Sequence, residues 1–156
     1  MIEKTNGGFL ISRVKQIQDR FFTKLLSDAN IAEFNGAQGR ILYILWQSDC
    51  IPIVEIAKKT SLAKNTLTSM LDRMEESGLI MREADKNDRR QINIILSEKA
   101  QSLKKDFDRI SMKSAEIFYK GFTDDEIILF EEQLNKILNN LKEAEENYNG
   151  RRIELQ

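Results

Sequence analysis

Apolar side chains recur at helical spacing along most of the chain and divide it into a series of predicted helices. A first helix, from about residue 9 to residue 29, has a single apolar stripe. Its members are Leu10, Val14, Ile17, Phe21 and Leu25. A second helix begins at Asn35, which has the spacing of a capping box with Gln38, and it continues through an apolar run that ends near Trp46.

Two shorter helices follow in the middle of the chain. Residues 53–59 place three apolar side chains at spacings of three and four, which predicts one buried face. After a brief polar turn, a second helix is predicted from about Lys64 to Ser77, and Gly78 is placed to end it as a left-handed C-cap. The core side of this helix carries Leu67, Met70, Leu71 and Met74. Two short helices joined by a tight turn are typical of a helix-turn-helix.

The second helix of this pair has an outer face of small polar side chains. A rotation of about 100° per residue places on or beside this face Asn65, Thr68, Ser69, Asp72, Arg73 and Glu76. Hydroxyl and amide groups hydrogen-bond base edges or phosphate oxygens, and Lys64 at the start of the helix suits a phosphate. A polar outside is equally typical of any surface helix, so this face alone does not decide between the two interpretations.

A predicted β-hairpin follows directly. Residues 79–83 and 91–96 have the composition of two strands, and the second alternates at a period of two through Ile92, Ile94 and Leu96. The turn between them carries Lys86, Arg89 and Arg90. A charged turn is usually only solvated, but a projecting loop also allows a guanidinium to enter a narrow minor groove. Its place directly after a candidate DNA-reading helix favours the second interpretation.

Three short segments in this region match a known family in their order and spacing. They are Gly78-Leu79-Ile80-Met81-Arg82, Asp85-Lys86-Asn87-Asp88-Arg89-Arg90 and Leu96-Ser97-Glu98-Lys99-Ala100. With the helix pair before them, they resemble the multiple-antibiotic-resistance regulator (MarR) family of bacterial transcription factors, and the resemblance extends over roughly residues 9 to 147. It implies a mainly α fold with a small β-hairpin wing, a winged helix-turn-helix with N- and C-terminal dimerisation helices.

The chain departs from the family pattern at three positions. Lys86 stands where the family often has Pro in the wing turn. Ala63 stands where a capping Asp or Ser is common before the DNA-reading helix, and Ala100 replaces a frequent Gly. None of these changes removes a group that would touch DNA, so they bear on affinity and geometry more than on the kind of function.

The polar face of the second helix, the charged turn and the resemblance together imply a set of DNA contacts. They are Lys64, Asn65, Thr66, Thr68, Ser69, Arg73, Lys86, Arg89 and Arg90. Arg90 is the wing residue implied to reach the minor groove, and Asp88 is implied to support the tip. Asp72 needs another role, because a carboxylate that faces phosphates is repelled. We expect it to brace an arginine of the wing, and a hydrogen bond from a cytosine amine is the alternative.

The terminal helices predict a second copy of the chain. Ser97 is placed to cap a long helix that carries Leu103, Phe107, Ile110 and Ile117, and residues 123–126 form a capping box before a last apolar helix. A winged helix already has its own core, so the first and last helices have surplus apolar faces that a homodimer would bury. The predicted division is 1–34 N-terminal dimerisation helix, 35–96 winged helix-turn-helix, 97–148 C-terminal dimerisation helices and 149–156 polar tail. In the family these helices form the dimer, which implies a near-palindromic DNA site.

Charge is unevenly distributed along the chain, whose formal net charge is -1. Residues 58–91 contain eight basic and six acidic side chains, whereas residues 122–148 contain two basic and eight acidic ones. The acidic end should therefore point away from DNA, and binding should depend on geometry and on two copies more than on a strong basic field. The N-terminus has no long apolar segment of the kind found in secretory signals, so we expect a cytoplasmic protein.

Control by a small molecule is implied by the family, whose members often bind small aromatic compounds between the dimer region and the DNA-reading lobe. Tyr43 and Trp46 are the candidates for lining such a crevice, although aromatic side chains more often belong to the core. Cys50 is the single thiol, and the neighbouring Asp49 disfavours its reactive thiolate, so an inert thiol is favoured over a redox sensor.

Other classes of function are disfavoured by what the sequence lacks. It has no His and no glycine-rich phosphate loop, and we find no metal-ligand spacing, so we expect neither an enzyme nor a cofactor or metal site. The sequence thus predicts a DNA-binding transcriptional regulator, acting as a repressor and released by an effector. Two alternatives stay open: an interaction module with this fold that does not bind DNA, and a redox-sensing regulator that uses Cys50.

Overall fold

The computed structural model describes residues 4–48 and 50–148. The elements in chain order are α1 (Gly7–Asp28), α2 (Gly36–Gln47), β1 (Cys50–Pro52), α3 (Ile53–Thr60), α4 (Lys64–Glu76), β2 (Ile80–Ala84), β3 (Ile92–Leu96), α5 (Glu98–Ser102), α6 (Lys104–Phe118) and α7 (Asp124–Asn147). They fall into two compact units, Met1–Ser114 and Ala115–Gln156. The predicted fold class, mainly α with a small β wing, is confirmed.

Helix α2 lies at the centre of the first unit. The predicted capping box is present, because Asn35 Oδ1 accepts from the Gln38 amide at 2.8 Å and Gln38 Oε1 accepts from the Asn35 amide at 3.1 Å. This pair satisfies two of the amides that a helix start leaves without partners. Behind it, Ile41, Leu42 and Leu45 are completely buried, so α2 is the element on which the core is built.

One aromatic side chain, Phe107 of α6, connects much of this core. Its ring lies 4.9 Å from Trp46, 5.9 Å from Phe34, 6.0 Å from Phe22 and 6.2 Å from Tyr43, measured between centroids. Gly39 favours the close approach of α6 to α2, because a Cβ there would lie 3.0 Å from Phe107 Cε2, a tight contact from which the ring would have to move slightly. Residues of α1, α2 and α6 therefore meet around a single ring.

The helix that the sequence predicts after Ser97 is two helices in the structure. Ser97 Oγ caps α5 by accepting from the Ala100 amide at 3.2 Å. The Ala100 carbonyl then accepts from Leu103 N at 3.2 Å and from Trp46 Nε1 at 3.1 Å. In an uninterrupted helix its donor is the amide four residues on. The tighter turn at Leu103, completed by Trp46 of α2, separates α5 from α6.

The sheet has three antiparallel strands in the order β1-β3-β2. The predicted hairpin is confirmed, with Arg82 opposite Ile94 in the register of β2 and β3. Strand β1 was not predicted, because three residues ending in Pro are too short to show an alternation. It forms because Ile51 pairs with Ile94 and is buried, while Pro52 sits at the edge of the sheet, where its missing amide costs little.

The second unit has its own small aromatic cluster. Its rings are those of Phe118, Tyr119, Phe122 and Phe130, and five pairs among them have centroids 4.8 to 6.4 Å apart. Burial and the hydrogen bond that Tyr119 donates to Glu131 at 2.8 Å raise the pKa of Tyr119 to about 12. The predicted capping box at Thr123 and Glu126 is present and begins α7.

Both terminal helices expose much of their apolar side-chain surface. No residue of α7 is buried, and its exposed apolar side chains are Ile128, Leu129, Ile137, Leu138 and Leu141. On α1 the exposed apolar side chains are Phe9, Leu10, Ile11, Val14 and Ile17. Among the described residues, no helix has the length and apolar character needed to cross a membrane.

Replacing Phe107 by Ala should lower the free energy of unfolding by roughly 3 to 5 kcal/mol, because it removes the ring on which four others pack. Urea unfolding followed by circular dichroism measures this value. Val54→Ala is the control, because Val54 is 55% exposed and its loss should change the free energy of unfolding by less than about 0.5 kcal/mol. Equal effects of the two changes would contradict the role of Phe107.

Candidate nucleic-acid interface

The buried side of α4 determines which of its residues face outward. Leu67, Leu71 and Met74 are completely buried, which turns the polar positions of the helix outward. The predicted contact residues of this helix are all exposed: Lys64, Asn65, Thr66, Thr68, Ser69 and Arg73. Ala63 supplies no side-chain cap, so no side chain of the N-cap residue competes for the first amides of the helix.

Two hydrogen bonds within α4 order part of this face. Thr68 Oγ1 donates to the Lys64 carbonyl at 2.9 Å, and Arg73 Nη2 donates to Ser69 Oγ at 3.0 Å. The Thr68 oxygen can still accept a hydrogen bond, and the Ser69 hydroxyl can still donate one. Arg73 is held near Ser69, so α4 presents a cation, a donor and an acceptor together.

Arg82 of β2 ties the wing, which consists of β2, β3 and their turn, to α4. Its Nη2 donates to Asp72 at 2.7 Å, and its Nη1 donates to Glu75 at 2.9 Å. Glu75 also accepts from the Arg82 amide at 3.1 Å. Burial acts to lower the pKa of Arg82, but the hydrogen bonds to the two carboxylates outweigh it and raise that pKa. Asp72 thus contacts an arginine of the wing and is turned toward β2.

The wing turn is organised by Asp85. One of its carboxylate oxygens accepts from the amides of Asn87 at 2.8 Å and Asp88 at 2.9 Å, and the other accepts from Asn93 Nδ2 at 3.0 Å. The hydrogen bond from Asn93, followed by those from the two amides, lowers the pKa of Asp85. Asp85 therefore stays ionised at neutral pH and joins the start of the turn to β3.

Asp88 arranges the tip of the wing. Its side chain accepts from the Arg90 amide at 3.0 Å, and its carbonyl accepts from Gln91 N at 2.9 Å, which makes Arg89 and Arg90 the central residues of a β-turn. Lys86, Arg89 and Arg90 are all exposed. No ion pair joins any of the three to another described residue. The wing thus projects cations that are free to meet an external anion.

Three residues of this surface were given no role from the sequence: Glu75, Arg82 and Asp85, of which the last two lie in the segments that carry the family resemblance. Glu75 and Arg82 lie seven positions apart, on a helix and on a strand, so no single periodicity relates them. The Asp85 to Asn93 bond crosses the hairpin and depends on the turn length. An Asp followed two and three residues later by polar residues is a signal for a side-chain-capped turn, and it was available at Asp85.

The two aromatic side chains considered for an effector site lie in different surroundings. Tyr43 is 52% exposed and lines an open cleft of about 1110 Å³ within the first unit. Trp46 does not line this cleft; its ring packs on Phe107, and its Nε1 donates to the Ala100 carbonyl.

The thiol of Cys50 is exposed on β1, whereas Asp49 lies outside the described residues. Among the residues that the structure describes, no cluster of acidic or Cys side chains has the arrangement of a metal site.

Comparison with known proteins places this geometry in a family. The family model described as MarR matches residues 34–92. The HTH-type transcriptional regulator TtmR of Methylorubrum extorquens is 36% identical over 72 residues, which cover 46% of this chain and 37% of TtmR. The regulator YsmB of Bacillus subtilis is 30% identical over 98 residues, covering 63% of this chain and 67% of YsmB.

A solved structure shows the same fold. A mutant of MarR from E. coli, in complex with operator DNA, matches this chain with a TM-score of 0.74 and 29% sequence identity. The match covers 84% of this chain and 92% of the MarR chain. All three similar proteins are transcriptional regulators, and none is an enzyme. This agrees with the prediction from the sequence that this chain is a regulator and not an enzyme. The residues, the fold and these matches agree: the chain belongs to the MarR family of winged-helix transcriptional regulators.

Proposed function

We propose that this protein is a cytoplasmic repressor that binds a near-palindromic promoter site as a homodimer and leaves it when a small molecule binds. The contact residues are those of the α4 face and the wing: Lys64, Asn65, Thr66, Thr68, Ser69, Arg73, Lys86, Arg89 and Arg90. Asp72 and Asp88 support them without touching DNA.

The observation that carries this proposal is that two arginines at the wing tip form no ion pair with any other described residue, on a wing that is bonded to α4. Arg89 and Arg90 are exposed and occupy the centre of a turn that Asp88 holds. Arg82 bonds that wing to the helix whose polar face is turned outward. If α4 enters the major groove while a wing arginine enters the next minor groove, the wing must keep a fixed position relative to α4.

The proposed homodimer is supported by the exposed apolar side chains of α1 and α7. Isolated apolar residues are normal on a surface, but each of these helices exposes at least five large ones. A second copy related by a twofold axis would cover these faces and place two α4 helices in successive major grooves.

Effector control is proposed for the cleft that Tyr43 lines. Its wall is built from residues of α1 and α2, of α3 and α4, and of α6. A ligand there would contact both a proposed dimerisation helix and the proposed DNA-reading helix, so its binding would change the spacing of the two α4 helices of a dimer.

Arg90→Ala should weaken binding to DNA from upstream of the protein's own gene by roughly 1 to 3 kcal/mol, because one specific contact is lost. Fluorescence anisotropy at physiological salt, with a scrambled duplex as the control DNA, measures this. Arg109→Ala, which removes the same charge from α6, is the matched control. Binding without sequence preference that neither change affects would favour an interaction module that does not use DNA.

Asp72→Ala should weaken DNA binding, because Arg82 would lose one of the two carboxylates that fix the wing. The same anisotropy titration measures the effect. Glu76→Ala is the matched control, since it removes an exposed carboxylate from the same helix and should leave binding unchanged or strengthen it. If Asp72→Ala also strengthens binding, charge repulsion explains Asp72 and the bracing role is wrong.

Leu141→Asp should shift the mass of the protein in solution from that of a dimer toward that of a single chain, because it places a charge on the proposed interface. Leu141 is 63% exposed, so the fold of one chain should tolerate the change. Sedimentation equilibrium gives the mass. Asn139→Asp adds the same charge to an exposed polar position of α7 and should leave the dimer intact. A single chain in the unmodified protein at micromolar concentration would refute the dimer.

A further inference from the structure

The exposed hydroxyl of Thr68 has its only proton engaged within α4. It donates to the Lys64 carbonyl at 2.9 Å, one turn earlier in the helix. A hydroxyl has one proton and two lone pairs, so with the proton engaged the oxygen can only accept. Turning the proton toward another partner would break the bond to Lys64. Thr68 therefore offers an acceptor, and no donor, to whatever approaches this side of α4.

An acceptor has few possible partners on duplex DNA. Phosphate oxygens are acceptors themselves, so they cannot bond directly to the Thr68 oxygen. The donors that base edges present in the major groove are the amino groups of adenine and cytosine. Thr68 lies in the second turn of α4, and the N-terminal part of a DNA-reading helix is the part that contacts base edges. A direct bond from DNA to Thr68 therefore has to come from one of these two bases.

The charge beside Thr68 also favours a base over a phosphate. Asp72 lies four residues after Thr68 and so on the same side of the helix. Its side chain is 56% exposed, and it shares the single charge of Arg82 with Glu75, so this side of α4 keeps negative charge. A phosphate near Thr68 would be repelled by that charge, whereas an amino group would not.

Ser69 and Arg73 have the opposite hydrogen-bond polarity. Arg73 Nη2 donates to Ser69 Oγ at 3.0 Å, so the cation turns the hydroxyl dipole of Ser69 away from itself and leaves its proton to be donated outward. These donors suit phosphate oxygens as well as the acceptors of bases, so they do not restrict the choice of base. Of these three residues, Thr68 is the one whose polarity does.

We propose that Thr68 determines sequence specificity by accepting a hydrogen bond from the amino group of an adenine or a cytosine in each half of the DNA site. Guanine and thymine present no donor in the major groove, so either of them at this position would leave two acceptors facing each other. Inverting that base pair therefore weakens binding. The inference rests on the proposed function, because it needs α4 in the major groove of two half-sites.

Duplexes that lack single amino groups test this assignment. The full chain first selects a duplex from a random pool. Each adenine or cytosine of its half-sites is then replaced, in both halves, by purine or 2-pyrimidinone, which lack the amino group. At one position the replacement should weaken binding roughly fivefold per half-site, as for one neutral hydrogen bond. Thr68→Val, which has nearly the same shape without the oxygen, should weaken binding to the unmodified duplex by the same factor and be indifferent to this replacement. Fluorescence anisotropy measures each affinity.

Ser69→Ala is the matched control, since it removes a hydroxyl from the adjacent position and should remain as sensitive to the replacement as the unmodified protein. Thr68→Ser keeps the oxygen and should also remain sensitive. The assignment is overturned if Thr68→Val is as sensitive as the unmodified protein at every position, or if no replacement weakens binding. Either result leaves the proposed function standing, whereas failure to select any sequence from the pool overturns both.

Discussion

The hydrogen bonds of Arg82 to Asp72 and Glu75 hold the wing and α4 in one arrangement. A two-stranded hairpin is marginally stable by itself, so its direction has to be fixed by other elements. The third strand β1 supports one side of β3, and Arg82 bonds β2 to the helix. Its side chain is only 21% exposed, and the loss of either carboxylate would weaken the compensation of a partly buried charge.

The same contacts help to explain how a chain with a net charge of -1 exposes a group of cations at the wing tip. Asp72 and Glu75 are both bonded to Arg82, whose single positive charge offsets one of their two negative charges. The carboxylates of Asp85 and Asp88 accept hydrogen bonds from amides of the wing turn. Four of the six acidic side chains between residues 58 and 91 are therefore engaged within the protein. The side chains of Arg89 and Arg90 at the tip form no ion pair with any described residue. Geometry, more than the number of basic residues, determines the field at this surface.

The features that sequence predicted are local ones. The buried stripe of α4, the capping boxes at Asn35 and Thr123 and the left-handed Gly78, whose φ is 76°, each depend on residues within a few positions of one another. The features that it missed depend on distant partners. Strand β1 needs β3, and the separation of α5 from α6 needs Trp46. For the same reason the sequence offered only Tyr43 and Trp46 for the cleft, of which Tyr43 lines it, because five helices contribute to its wall.

Hydroxyl-radical footprinting on promoter DNA tests most directly whether two copies of this surface read DNA together. Two α4 helices related by a twofold axis should protect two symmetric segments spaced by roughly 10 base pairs, each flanked by protection in the minor groove where a wing tip lies. Protection of a single segment would contradict the dimeric arrangement. An even cleavage pattern at protein concentrations that saturate the dimer would contradict DNA reading by α4 and the wing altogether.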